Sequence, residues 1–387
     1  MNRRLLAIDW MRGLVMVLMT LDHASIAFNG GRVALDSAYP IDPFTGAGWV
    51  PGSALPPLQF ATRWVTHLCA PTFLFLSGTS LALSLEKRRG EAMSERELDR
   101  HLLVRGAVVL GCEGVLSLLA GGTSAMLQVL YAIGVSLWCM VPLRRLDARA
   151  LVAAGLAWFA VGEWITTAVA PPGSVAAPLA RLLVAPAAAP PLVVVYPLAG
   201  WLAMMMLGWG FGRALLAAGA ARDARGVARR FAPRCAAAGV AALALFALVR
   251  GLDGYGNMGL HRDDGSLAQW LHVSKYPPAL AYAALELGLM AVALGGFLAL
   301  EARLRAGAAF ASPRNPLRVY GETALFFYML HFVGLMVVAV ALTGNVGQRG
   351  LGSAYAATAA ALVALYPLCT AWRRYKRAHP RGFAQYV

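Results

Sequence analysis

Charged residues are scarce in this sequence, and acidic residues are scarcer than basic ones. Asp, Glu, Lys and Arg make up only 14% of its 387 residues, whereas 59% are hydrophobic and the mean hydropathy is +0.61. Soluble globular domains carry about 25% charged residues, so the composition excludes that class and indicates a polytopic membrane protein. The five cysteines are dispersed, which excludes a disulfide framework and a zinc site of clustered thiolates.

Apolar segments long enough for membrane-spanning helices recur along the whole chain. We expect ten helices, at about residues 5–28, 57–85, 101–121, 124–143, 149–170, 192–217, 231–250, 276–302, 317–342 and 353–372. The predicted fold class is therefore an all-α polytopic membrane protein, with a single transmembrane domain over residues 1–387.

The distribution of basic residues tests this count of helices. With a cytoplasmic N-terminus, 26 of the 34 Lys and Arg residues lie in segments that face the cytoplasm, and 7 lie in segments that face outwards. Because cytoplasmic loops of membrane proteins are enriched in Lys and Arg, this asymmetry predicts ten spans with both termini in the cytoplasm. Topology and attraction to anionic lipids also explain the net charge of +15, so nucleic acid is not expected as a partner.

The first predicted helix contains ionisable residues that a simple membrane anchor would lack. They are Asp9, Arg12, Asp22 and His23. Asp9 and Arg12 are three residues apart on one helix face, where they can form an ion pair. His23 follows Arg12 by eleven residues, which corresponds to about 16 Å along a helix axis. Since each ionisable group in hydrocarbon costs free energy, this helix is the first candidate for a functional site.

Two further histidines are predicted at the depth of His23. His67 lies about 15 Å below the outer end of the second helix, and His331 lies about 21 Å from the inner end of the ninth. A lone histidine at such a depth is more often a packed core residue than a catalyst. Three imidazoles in one layer indicate a site, because histidine can take a proton from an attacking amine or hydroxyl.

The eighth helix adds two more candidates. Glu286 lies about ten residues inside this helix, and we expect it to be the partner of Arg12. Lys275 precedes the helix at the outer surface, at the end of the long outward loop 251–275. That loop and the outward loop 29–56 are long enough to cover a site that faces outwards.

Six segments, in order along the chain, resemble the transmembrane acyltransferase superfamily and, within it, the family of the catalytic domain of heparan-alpha-glucosaminide N-acetyltransferase. They are IDWMRGLVMVLMTLDH in the first helix, APTFLFLSGTSLALS (70–84), MLQVLYAIGVSL (126–137), YPLAGWLAMMMLGWGFGR (196–213), SKYPPAL (274–280) and GETALFFYMLH (321–331). The superfamily motif places an Arg and a His at the spacing of Arg12 and His23. The lysosomal enzyme has Asn in place of His23 and its catalytic His in the following loop, where this chain has none.

The resemblance implies a ten-helix core that moves an acyl group from cytoplasmic acyl-CoA to a sugar on the far side. The expected co-substrate is acetyl-CoA or another acyl-CoA, with no metal, and the expected base is His23, oriented by Asp22, or else His67. The other expected partners are a sugar or glycan acceptor and membrane lipids, and a homodimer is left open. The candidate catalytic residues are His23, His67, Asp22 and His331, and the candidate acyl-CoA-binding residues are Arg12, Lys275 and Glu286.

Two other functions are compatible with charged residues inside membrane spans. A secondary transporter would use them for an ion or solute path, and it commonly has paired sequence repeats, which we do not find in this chain. A membrane scaffold without catalytic activity would use them only for packing. From the compact chain rich in Ala and Arg, we expect a bacterial inner membrane as the location.

Overall fold

A computed structural model describes residues 5–33, 35–42, 47–119, 124–304, 308–380 and 382–387. In these ranges the chain is mainly helical, as predicted. The helices are α1 Leu6–Phe28, α2 Pro57–Val65, α3 Cys69–Gly90, α4 Glu95–Leu119, α5 Val129–Leu143, α6 Ala148–Val169, α7 Pro178–Leu183, α8 Leu198–Ala217, α9 Ala224–Leu252, α10 Leu267–Leu271, α11 Leu280–Arg303, α12 Pro316–Glu322, α13 Ala324–Thr343 and α14 Leu351–Ala378.

Eight segments of the described chain are long and apolar enough to cross a membrane: α1, α2 with α3, α4, α6, α9, α11, α13 and α14. The all-α polytopic fold predicted from the sequence is therefore confirmed. Helices also occupy the other two predicted positions, but α5 has only 15 residues, and α8, although continuous over 20 residues, is not among these eight segments. The count of ten spans and the cytoplasmic position of both termini stay predictions.

A small sheet lies at the end of the bundle where α4 leads into α5 and where α8 begins. Its strands are β1 Ala125–Leu127, β2 Ala187–Ala189 and β3 Leu192–Val194, in the order β1-β3-β2. β1 runs parallel to β3 with Ala125 opposite Leu192, and β2 runs antiparallel to β3 with Ala187 opposite Val194. The sheet ties the loop before α5 to the loop before α8.

The second predicted helix is divided by a 3₁₀ turn at Thr66–Leu68, which separates α2 from α3. Pro71 explains the division, because it has no amide hydrogen to donate to the carbonyl of His67 four residues earlier. The hydroxyl of Tyr282 on α11 donates to that carbonyl instead, at 3.1 Å. The break therefore links the α2–α3 segment to α11 beside a candidate site residue.

α3 and α8 pack at very short distance because glycines face the opposite backbone. A Cβ atom on Gly78 would lie 2.0 Å from the carbonyl oxygen of Met205, and one on Gly208 would lie 1.8 Å from that of Phe75. Thr79 Oγ1 also donates to the carbonyl of Gly208 at 3.0 Å. Small residues on α3 and α8 therefore allow the two helix backbones to approach closely.

Candidate active site

A polar cavity of about 80 Å³ lies between α1, the α2–α3 segment, α5, α13 and the loop before α11. Its wall contains ionisable side chains from four parts of the chain. They include Asp22, His23, Arg32, Arg63, Lys275 and Tyr276. Because such side chains are costly inside an apolar bundle, their convergence on one cavity marks it as the candidate active site. We refer to it below as the polar cavity.

His23 and His331 form a hydrogen-bonded pair between α1 and α13. Nδ1 of His23 lies 2.8 Å from Nε2 of His331, and Nδ1 of His331 lies 2.8 Å from the carbonyl oxygen of Phe327. A carbonyl only accepts, so Nδ1 of His331 carries a proton, and Nε2 of the neutral ring accepts from Nδ1 of His23. Nε2 of His23 is then proton-free, and it makes no hydrogen bond with the described residues. The pair therefore presents a base on the cavity wall.

Aromatic rings surround the two imidazoles and limit their rotation. The rings of His23 and His331 are stacked with centroids 4.9 Å apart. The rings of Phe332 and Tyr328 meet His23 edge-on, at centroid distances of 4.8 Å and 5.6 Å. Residues 331 and 332 follow residue 328 by three and four positions, so both lie beside it, one turn further along α13. This part of α13 therefore fixes the direction in which His23 points.

Asp22 binds two arginines, whereas the sequence predicted that it orients His23. Its carboxylate accepts from Arg32 Nη1 and Nη2 at 3.0 and 2.9 Å and from Arg63 Nη1 at 2.9 Å. Thr66 Oγ1 donates to the same carboxylate at 3.0 Å. Among the described residues Asp22 makes no hydrogen bond to His23, whose partner is His331, because neighbouring residues on a helix point in different directions.

Asp36, in the loop after α1, continues this ion-pair network. Its Oδ2 atom accepts from Arg63 Nε and Nη2 at 2.8 and 2.5 Å, and Nε2 of His67 lies 3.1 Å away. Burial alone would raise the pKa of Asp36, but the charge of Arg63 holds it below its ordinary value. His67 is completely buried and is not on the cavity wall. The structure thus places His67 behind Arg63, apart from the His23 pair.

Lys275 lies on the cavity wall, as expected for a site residue, and is only 3% exposed. Its backbone N–H donates to the carbonyl of Asp36 at 2.9 Å, which anchors it to the loop after α1. Tyr276 follows on the same wall, and its hydroxyl lies 3.3 Å from the hydroxyl of Tyr196. These contacts join three loops at one end of the bundle.

Arg12 and Glu286 do not pair, and the prediction that they would is wrong. The guanidinium of Arg12 donates to Ser80 Oγ at 2.5 Å, to the carbonyl of Gly321 at 3.1 Å and to Asp9 at 3.4 Å. The ion pair with Asp9 was expected from their spacing. Glu286 is buried on α11, and its Oε1 atom has no hydrogen-bond partner among the described residues. The prediction was based on the depth of Arg12 and Glu286 along their helices, and depth does not determine the direction in which a side chain points.

The family model described as "Heparan-alpha-glucosaminide N-acetyltransferase, catalytic" matches residues 52–249, about half of the chain. The chain belongs to this family. The membership confirms the resemblance that the motifs indicated and identifies a membrane acetyltransferase of a family that uses acetyl-CoA. No protein of established function matches the chain in a search of curated proteins.

The match to the heparan-alpha-glucosaminide N-acetyltransferase family covers only part of the polar cavity. Arg63, His67 and Tyr196 lie inside residues 52–249, whereas the His23 and His331 pair lies outside them. Among the described residues, no group of three or more His, Cys, Asp or Glu side chains is arranged to hold a metal ion. Because the family match does not include the two histidines, the roles of the side chains in the cavity are inferred from their positions in the structure.

Four residues of the site were missed by sequence reasoning: Arg32, Asp36, Arg63 and Tyr276. Arg32 and Asp36 belong to the loop 29–56, which was expected only to cover the site. Their signal was weak, because charged residues in a Gly- and Pro-rich loop are usually solvated. The sequence did offer one hint: Asp36 follows the outer end of the first helix, and Arg63, of opposite charge, lies near the outer end of the second.

Proposed function

We propose that this protein transfers an acetyl group from cytoplasmic acetyl-CoA to an amine or hydroxyl of a sugar or glycan on the other side of a bacterial inner membrane. One observation carries the proposal: His23 lines the polar cavity, and its bond to His331 leaves Nε2 as the proton-free nitrogen of its ring. A base of this kind, placed beside a bound acceptor, typically accelerates a reaction by about 10²- to 10⁴-fold.

In the proposed reaction the acceptor nitrogen or oxygen attacks the carbonyl carbon of the thioester. Its proton passes to Nε2 of His23, the carbon–sulfur bond breaks, and CoA leaves as the thiolate. The resulting imidazolium then returns the proton to the thiolate or to water. His331 acts as a positioning residue, since it fixes which nitrogen of His23 is proton-free.

The position of His67 supports His23 as the base. His67 is completely buried and faces Asp36, which in turn holds Arg63. We assign it a structural role in the ion-pair network. Asp22, Arg32 and Arg63 offer the acceptor both hydrogen-bond donors and acceptors, which is the combination that sugar hydroxyls require.

Residues 1–387 act as one domain in this proposal, because the two histidines of the pair come from α1 and α13 near opposite ends of the chain. Acetyl-CoA approaches from the end of α1 that carries Arg12, about 16 Å from His23. The nearby Arg105 and other arginines of the inward segments would attract its phosphates. Arg12 itself joins α1 to α3 and α12 along this route.

The test is acetyl transfer by the purified protein in liposomes, with labelled acetyl-CoA and a panel of amino sugars and cell-surface glycans. We expect a labelled acceptor with the wild type, a fall of at least about 100-fold in kcat/KM for His23→Ala, and a smaller effect for His67→Gln. His261→Gln is the matched control, because His261 is 55% exposed and far from the pair in the chain.

Two results would remove the proposal: no labelled product from any acceptor, or undiminished transfer by His23→Ala. Solute flux without consumption of acetyl-CoA would favour a transporter instead. Sidedness is tested with inside-out vesicles, which should accumulate acetylated acceptor in the lumen when acetyl-CoA is added outside.

A further inference from the structure

Lys275 is a buried cation without an ion-pair partner among the described residues. The other two cations of the cavity wall are paired, Arg32 with Asp22 and Arg63 with both Asp22 and Asp36. Lys275 is 3% exposed, yet its Nζ atom forms no ion pair or hydrogen bond with a described residue. Its side-chain contact is the ring of Tyr276, whose centroid is 5.2 Å from Nζ.

An ammonium group in this position is costly unless an anion joins it. Taking such a charge out of water costs more free energy than one cation–π contact recovers. Glu286, the other buried acid of this region, is not on the cavity wall and does not lie within ion-pair distance. The unpaired charge therefore points to an anion that is present only during function.

We infer that Lys275 stabilises the negative oxygen that forms on the acetyl carbonyl during transfer. The inference rests on the proposed function. When the acceptor attacks, the carbon–oxygen double bond opens and its electron pair moves onto the oxygen, while the acceptor proton goes to His23. When the oxygen electron pair reforms the double bond, the carbon–sulfur bond breaks and the thiolate leaves. Lys275 and His23 line the same cavity, so one can meet the oxygen while the other meets the proton.

The loop contacts hold Lys275 in place before the reaction begins. Its amide is bound to the carbonyl of Asp36, and the hydroxyl of Ser37 donates to the carbonyl of Tyr276. Ser274 Oγ donates to the carbonyl of Pro277 at 3.1 Å on the other side. A charge fixed in advance stabilises a transition state without the cost of reorganisation.

The experiment compares Lys275→Met, Lys275→Arg and the control Lys87→Met, whose side chain is 78% exposed and paired with Glu91. We expect Lys275→Met to lower kcat for acetyl transfer by about 100-fold, with KM changed by less than about threefold. Lys275→Arg should retain more activity, and Lys87→Met should match the wild type. Thermal stabilisation by acetyl-CoA should persist in Lys275→Met, which shows that the donor still binds.

Fluoroacetyl-CoA separates a catalytic role from a structural one. The electron-withdrawing fluorine stabilises the negative oxygen, so the deficit of Lys275→Met should shrink several-fold with this donor. An equal deficit with both donors would overturn the inference. So would a loss confined to KM for acidic acceptors, because Lys275 would then bind an anionic group of the acceptor.

A wild type that transfers no acetyl group would refute the proposed function and this inference together, whereas an active wild type insensitive to Lys275→Met would refute the inference alone.

Discussion

Nδ1 of His23 donates a hydrogen bond to Nε2 of His331 across 2.8 Å, although the two residues are 308 positions apart. The bond connects α1 to α13 and continues to the carbonyl of Phe327. Because this chain of bonds runs in one direction, it determines which nitrogen of His23 can take a proton.

The first prediction concerns His331. His331→Ala should lower kcat for acetyl transfer by about 10- to 100-fold, because His23 can then rotate and adopt either tautomer. His331→Gln should recover part of the loss, since its amide oxygen can accept from Nδ1 of His23. The measurement is the steady-state rate with labelled acetyl-CoA, and His379→Gln, on an exposed histidine, is the control. Equal rates for His331→Ala and the wild type would contradict the positioning role.

The second prediction concerns the stability of the ion-pair network. Arg63→Met leaves Asp36 and one side of Asp22 without their main cation, so we expect a loss of about 3–5 kcal/mol in the free energy of unfolding. The control Arg213→Met removes a half-exposed pair with Glu86 and should cost less than about 1 kcal/mol. Thermal unfolding in detergent gives the comparison. Similar losses for the two variants would show that the buried network stabilises the protein no more than an exposed ion pair does.

The helices were predictable from the sequence, because long apolar segments and the excess of basic residues in alternate loops are strong local signals. The ion pair of Asp9 with Arg12 and the carbonyl released by Pro71 were predictable for the same reason, since both depend on spacing within one helix. The absence of an ion pair between Arg12 and Glu286 was not predictable, because depth along a helix does not give the direction of a side chain around its axis.

The role of Asp36 in the site was also beyond the sequence. The loop after α1 contains Asp36 and Asp42, and nothing in their immediate neighbours distinguishes the residue that binds Arg63. Only the folding of the loop against α2 and the start of α11 brings Asp36 to Arg63, which lies on the cavity wall. The contribution of Asp36 could therefore be recognised only in the three-dimensional structure.

The third prediction concerns the contact of α3 with α8. Gly208→Ala should destabilise the protein by about 1–3 kcal/mol, because the new Cβ atom meets the backbone of Phe75 and cannot be relieved by a rotamer change. Gly114→Ala on α4 is the control, because an added Cβ atom would have no other atom within 4 Å there. It should stay within about 1 kcal/mol of the wild type. Thermal unfolding in detergent measures both. Equal stability of the two variants would contradict the close contact.

The fourth prediction concerns topology. Reporter fusions after residues 90 and 217, where α3 and α8 end, should be active only with a cytoplasmic reporter, and so should a fusion at residue 387. Fusions in the loops after α1 and α9 should be active only with a reporter that functions outside. A cytoplasmic signal from the loop after α1 would reverse the proposed direction of acetyl transfer, because the polar cavity would then face the donor compartment.

The fifth prediction concerns pH and the loop that covers the cavity. Burial lowers the pKa of His272 from its ordinary value of 6.5, while Nε2 donates to the carbonyl of Leu35 at 3.1 Å and the ring lies against Trp49. Below about pH 6.5 the unfolded chain therefore binds a proton at His272 that the folded protein does not bind. The free energy of unfolding therefore decreases as the pH is lowered, until the pH reaches the pKa of His272 in the folded protein. His272→Gln retains a donor to Leu35 and removes the titration, so its melting temperature should fall less than that of the wild type between pH 7 and pH 5. His379→Gln should keep the wild-type slope, and an identical slope for His272→Gln would mean that His272 does not cause the acid sensitivity.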